Sequence, residues 1–155
     1  MNLSEHFTYE ELTHTDHRDF DNTPTEAEKC VIDGRVVEVN AVANLTRLAA
    51  FLEEVKTLLG GKPIMVNSAF RSHALNVSLG SQETSDHRRG CAADIRVPAM
   101  TPDEVTRAII GSGLGFQQVI REFDRWTHVS IPTYEGDAPK RQALIIDKSG
   151  IRPFA

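Results

Sequence analysis

Ser85-Asp86-His87-Arg88-Arg89-Gly90-Cys91-Ala92-Ala93-Asp94 is the stretch on which the reading of this chain turns. A histidine sits in a loop, a glycine lets the chain bend, and an aspartate follows on an apolar run, Cys91–Val97, that reads as a strand ended by Pro98. On that strand Ala92, Asp94 and Arg96 share one face, and Cys91, Ala93 and Ile95 share the other. Small Ala92 leaves room for a metal beside Asp94. A catalytic zinc needs three protein ligands and one open position, and histidine and carboxylate are its usual suppliers. Downstream, Trp126-Thr127-His128-Val129-Ser130 offers a third donor, with Trp126, His128 and Ser130 on one strand face. The chain holds six histidines. Spacing alone therefore does not set these two apart from ordinary surface or core residues.

Outward from this stretch, the clearest element is a helix from Asn40 to Leu59. Val42, Leu45, Leu48, Leu52, Val55 and Leu59 recur at spacings of three and four, and Gly60-Gly61 stops the run. Thr101-Pro102-Asp103-Glu104 starts a second helix that runs to about Gly111, with Thr101 as cap, Pro102 at the first helical position and Glu104 completing a capping box. A short helix is expected at Thr8–Thr13. The rest of residues 1–35 reads as polar and irregular, with a turn at Asp21-Asn22-Thr23-Pro24. Pro63–Ser68 reads as a strand and Phe70–Thr84 as mostly loop with one helical turn. Phe116–Glu122 and Trp126–Ile131 read as a hairpin, and Gln142–Ile146 as a last strand. Segregated helices and short strands predict an α+β domain, a single one over residues 1–155, with helices packed on a small, mainly antiparallel sheet.

Composition narrows the function classes. The 155 residues are 40% hydrophobic and 25% charged, with a net charge of -5. That balance argues against nucleic-acid binding, which needs a concentrated basic surface. No apolar run approaches the roughly 20 residues needed to span a bilayer, so no membrane insertion is expected. The N-terminal stretch MNLSEHFTYEEL lacks the basic start and apolar core of a secretory signal. Cytoplasmic synthesis is the expectation, and Cys30 and Cys91, far apart and outside any CxxC pair, read as free thiols.

Residue order adds what spacing does not. Ser85, His87, Gly90, Ala92 and Asp94 spell Ser-x-His-x-x-Gly-x-Ala-x-Asp. Followed by a histidine on a Trp-containing strand, this resembles the zinc D-alanyl-D-alanine carboxypeptidase family, which includes peptidoglycan L-alanyl-D-glutamate endopeptidases and shares its fold with the Hedgehog signalling domain. Phe7–Leu12, Asn67–Ser72, Leu75-Asn76 and the Gln118–Glu122 segment resemble further parts of that family, the last its phage-type branch. The resemblance implies a Hedgehog/DD-peptidase-like fold and Zn2+ held by His87, Asp94 and His128. It implies that Arg71 grips a substrate carboxylate or carbonyl, and that Ser85 orients the loop or a substrate group. The implied substrates are peptidoglycan stem peptides, cut by an endolysin-type endopeptidase or a D-Ala-D-Ala carboxypeptidase. A monomer is expected, reaching the wall after phage-type release.

One position departs from that pattern. Many relatives carry the catalytic carboxylate three residues before the last histidine ligand, where this chain has Arg125. Glu122 and Asp124 are the alternatives. Glu122 is preferred because it fits the phage-type branch that this segment resembles, and a three-residue hairpin loop would also put it on the face of His128. Trp126 either walls the cleft or packs in the core. Ser68, Asn76 and Gln118 read as structural, the remaining histidines as exposed or structural, and Arg88-Arg89 as a solvated pair in preference to one that steers an anionic wall polymer. A different class of function, a non-catalytic zinc-stabilised cell-wall-binding module, is separated from the peptidase by whether a carboxylate serves the metal. A bland structural protein of a phage particle predicts no zinc at all.

Overall fold

In the computed structural model, which describes residues 1–154, the chain runs α1 (Tyr9–Thr13), β1 (Glu28–Ile32), β2 (Arg35–Val39), α2 (Ala41–Leu58), β3 (Met65–Ser68), α3 (His73–Ser78), β4 (Ala92–Arg96), α4 (Pro102–Ile110), β5 (Gln118–Glu122), β6 (Trp126–Ser130), β7 (Gln142–Asp147) and β8 (Gly150–Pro153). A 3-10 turn at Asp86–Arg89 precedes β4. Helices α1 and α4 both start in capping boxes, the second as read from the sequence. Thr8 and Glu11 close a capping box on α1, and Thr101 and Glu104 close one on α4 with Pro102 in its first turn. Asn40 caps α2 through the Ala43 amide. Leu45, Leu48, Leu52 and Val55 are fully buried, and each such side chain contributes about 1.5–3 kcal/mol of burial.

The fold is α+β, with a two-stranded ribbon β1-β2 and a six-stranded sheet in the order β3-β4-β6-β5-β7-β8. The larger sheet is mixed rather than simply antiparallel, because β7 pairs parallel to β5. The register shows why. Ser130, the last residue of β6, pairs with Gln118 at the start of β5, and the chain then rounds that end so that Gln142 pairs with Gln118 from the other side. One face of the sheet presents Ile95, Val129 and Val119 to the apolar core, which they share with the buried faces of α2 and α4. The opposite face carries one row across the strands, Ser68, Asp94, His128 and Ile120, each the cross-strand partner of the next.

Three segments differ from the sequence expectation. Residues 28–39, expected to start irregularly, form the β1-β2 ribbon. Asp33 and Gly34 both take positive φ, 51° and 75°, the turn geometry whose twist matches a two-residue hairpin. In Phe70–Thr84 the expected helical turn lengthens to the six-residue α3, because Ser72 caps it and Leu75 and Asn76 bury. The terminal β8 pairs with β7 although all four of its residues are exposed. Both cysteines are free and buried. No helix among the described residues is long and apolar enough to cross a membrane.

Candidate metal centre

His87 reaches its position through the turn that carries it. Ser85 accepts the His87 amide at 3.3 Å and opens the turn. Gly90 closes it at φ 72°, where a Cβ would stand 2.7 Å from the Ala41 carbonyl oxygen. Only glycine meets both demands without moving α2. The His87 carbonyl accepts the Arg71 amide at 3.0 Å, and its Nδ1 faces the Ala69 carbonyl at 2.6 Å. A carbonyl only accepts, so Nδ1 carries the proton and Nε2 keeps its lone pair.

Asp94 and His128 are brought together by strand pairing, as direct partners on β4 and β6. His128 Nδ1 stands 3.0 Å from Asp94 Oδ1, and His87 Nε2 stands 3.4 Å from Oδ2. The two imidazoles meet edge to face, with ring centroids 5.1 Å apart. One donor atom from each residue lies within 4.8 Å of the others, and all three residues are buried. Burial alone would push the Asp94 carboxyl up, but the His87 and His128 imidazoles hold it well below the usual carboxylate range. Two imidazole nitrogens and one carboxylate oxygen are the donor set of an open zinc site, with a backbone carbonyl orienting one imidazole from behind. These side chains fit a divalent metal.

The trio opens onto a cavity of about 470 Å³ whose wall includes Arg71, Ser85, Gln118, Glu122 and Trp126. Arg71 stands 3.5 Å from Asp94 Oδ2 and donates from Nε to Ser68 Oγ at 3.3 Å. Glu122 pairs across the hairpin with Trp126, whose indole N–H donates to Glu122 Oε2 at 3.1 Å. Burial, and next the charge of Asp94, raise the Glu122 carboxyl above its ordinary value. Asp124 is elsewhere. It sits in the tight turn with its side chain 70% exposed and paired to Arg121 at 3.1 Å, and it lines a neighbouring cavity instead. Trp126 walls both cavities, so the packing-only alternative for it is set aside.

The reading of Arg88-Arg89 as solvated is corrected. Both are buried, and Arg88 is among the most deeply enclosed side chains of the protein. The burial of Arg88 is not marked locally, because the buried carboxylate that meets it, Glu28, lies 60 residues away. Gln118 and Ser68, read as structural, both reach the site: Gln118 lines the cavity and Ser68 holds Arg71. Strand alternation with Ile120 and Glu122 is the signal that would have found Gln118, whereas Ser68 reaches the site only as the cross-strand partner of Asp94. The other histidines join no metal-ligating group among the described residues.

An α+β sheet that sets two histidines and an aspartate around the mouth of a polar cavity defines the class of metal-dependent hydrolase centres. Comparison with known proteins makes this specific: the peptidase M15 family model matches residues 5–130, and the chain belongs to that family. It is also similar to the zinc D-Ala-D-Ala carboxypeptidase of Streptomyces albus G, 36% identical over 76 residues. That match covers 47% of this chain and 30% of the Streptomyces protein.

Proposed function

We propose that this protein is a zinc peptidase that hydrolyses peptide bonds in bacterial peptidoglycan, with His87, Asp94 and His128 as the zinc ligands. One observation carries the reading. Three buried donors of the right chemistry converge within 4.8 Å at a cavity that also holds a carboxylate with a raised pKa. Zinc in this position supplies Lewis acidity, which polarises a carbonyl and makes water acidic near neutral pH.

The chain's own residues divide the remaining work. Glu122 takes a proton from the attacking water and passes it to the leaving amine, a role suited to a carboxyl whose pKa is moved toward neutrality. The Trp126 indole holds Oε2 of Glu122, which lines the cavity. Arg71 binds a substrate carboxylate or carbonyl, where a planar permanent cation forms paired hydrogen bonds. Ser85 sets the turn that presents His87. Asp124, bound to Arg121 outside this cavity, does not serve as the base.

The proposal extends to a Hedgehog/DD-peptidase-like fold and a single domain over residues 1–155. It also extends to a monomer acting on stem peptides after phage-type release, as endolysin-type endopeptidase or D-Ala-D-Ala carboxypeptidase. Mass spectrometry of digested wall separates those two activities. The decisive variant is Glu122→Gln. It retains stoichiometric zinc by elemental analysis and loses about 10²–10⁴-fold in the release of amino groups from purified wall. Undiminished release by this variant refutes the assignment of the base, and no release by zinc-loaded wild type refutes the peptidase reading.

A further inference from the structure

A second cavity, of about 540 Å³, lies between the tips of the β5-β6 and β7-β8 hairpins and shares Trp126 with the metal cleft. We propose that it is a substrate subsite for a carboxylate carried on an aliphatic arm of the bound peptide, gripped by Arg125 and Lys148 against the rings of Phe123 and Trp126. The inference rests on the peptidase reading and names a recognition element within it.

The tip is built at a cost that folding does not explain. Phe123 and Asp124 both occupy the left-handed region, φ 54° and 53°, in a turn where Asn-Gly or Asp-Gly is the relaxed choice. Phe123 is 47% exposed there, its ring 6.4 Å from that of Trp126 and tilted 51° to it. A strained backbone that holds an aromatic ring in solvent beside a cleft is a common mark of ligand binding.

Charge chooses the ligand. The two carboxylates at this cavity are already engaged. Asp124 pairs with Arg121, and Asp147 takes a two-pronged bond from Arg152, 2.8 Å at each oxygen. Arg152 holds the Asp147 carboxyl down to about 2, helped by the Ser149 amide. Arg125 and Lys148 line the same cavity without a carboxylate partner among the described residues. The uncommitted charge is positive, while the rings offer apolar contact to a hydrocarbon stem. The shared Trp126 also donates to Glu122, so an arm seated here lies beside the proposed base.

Calorimetry on zinc-loaded Glu122→Gln protein tests this without turnover. The probes are a synthetic stem peptide whose side arm ends in a carboxylate, the same peptide with that group as a carboxamide, and a peptide-free glycan fragment. The carboxylate form binds about tenfold more tightly than the carboxamide, as charge-assisted bonds require, and adding Arg125→Gln with Lys148→Gln removes the difference. Equal affinity for both peptides, or a difference that survives the added substitutions, overturns the proposal. Tighter binding of the glycan fragment than of either peptide overturns it in favour of a sugar site. Binding is read without hydrolysis, so an inactive wild type refutes the peptidase reading while leaving this discrimination to stand or fall separately.

Discussion

Arg88→Met removes a cation that is 2% exposed and fully engaged. Its NH1 donates to Glu28 Oε1 and to the Arg71 carbonyl, both at 2.9 Å, its NH2 to the Lys29 carbonyl at 3.0 Å, and its Nε to Glu83 Oε1 at 3.2 Å. Burial works against the guanidinium's charge, yet Glu28 and Glu83 raise its pKa above the ordinary value. Methionine fills much of the volume and leaves the Glu28 carboxylate without its cation. Breaking a buried pair from one side costs about 3–5 kcal/mol. For a chain of this length each kcal/mol lowers Tm by about 2–4 °C, so the fall is roughly 6–20 °C. Urea denaturation followed by circular dichroism measures it. Glu28→Gln in the Arg88→Met background removes the stranded charge, so the double variant is more stable than additivity predicts by about 0.5–3 kcal/mol. Arg88 also holds Arg71, whose amide holds His87, so zinc affinity falls about tenfold or more, as loss of an outer support does elsewhere. An Arg88→Met protein within 1 kcal/mol of wild type by the same denaturation, or strictly additive substitutions, would show that this cluster is not the clamp the distances indicate.

Gly90→Ala meets both a positive φ and the Ala41 carbonyl at 2.7 Å. The conformational term alone is about 1–2 kcal/mol, and the displaced turn weakens zinc binding as well. A variant with wild-type zinc affinity and Tm would refute the tight-turn account. Burial pushes the Cys91 thiol up to about 11 from 9.0. A folded pKa above the unfolded one means stability fully present below about pH 9 and lost as pH rises through about 11, amounting to about 2–3 kcal/mol. Denaturation midpoints measured from pH 8 to 11 should show a fall in wild type that shrinks by this amount in Cys91→Ala, the part due to the buried Cys30 thiol remaining. Zinc at a hundred times its Kd should add about 2.7 kcal/mol of stability. That gain disappears in His128→Ala, and a persistent zinc-induced Tm rise in that variant would place the metal elsewhere.

Much of this architecture is legible in the sequence where one local signal decides an element. The α2 stripe, the capping box at Thr101 and the β5-β6 hairpin all form as read, because each is settled by spacing within a few residues. Asp33-Gly34 between Cys30-Val31-Ile32 and Val36-Val37 is a hairpin signal of the same local kind, although residues 1–35 read as irregular. The parallel β5-β7 pairing and the exposed β8 were not legible. Neither leaves a periodic pattern, and both depend on how the chain rounds the end of β5.

The metal centre shows the same division more sharply. Asp94 and His128 are 34 residues apart and become neighbours only because β4 and β6 pair in one register. A slip of one residue would turn His128 to the core face and bring Val129 opposite Asp94. That register is held from the back of the sheet, where Ala93 pairs with Val129 and both are fully buried. Thr127 is fixed there as well, its hydroxyl 3.3 Å from the Pro102 carbonyl at the start of α4. The apolar residues that carry no chemistry therefore decide whether the three donors meet. Core substitutions such as Val129→Ala should then loosen zinc binding together with folding stability, whereas substitutions confined to the cavity wall should leave stability intact.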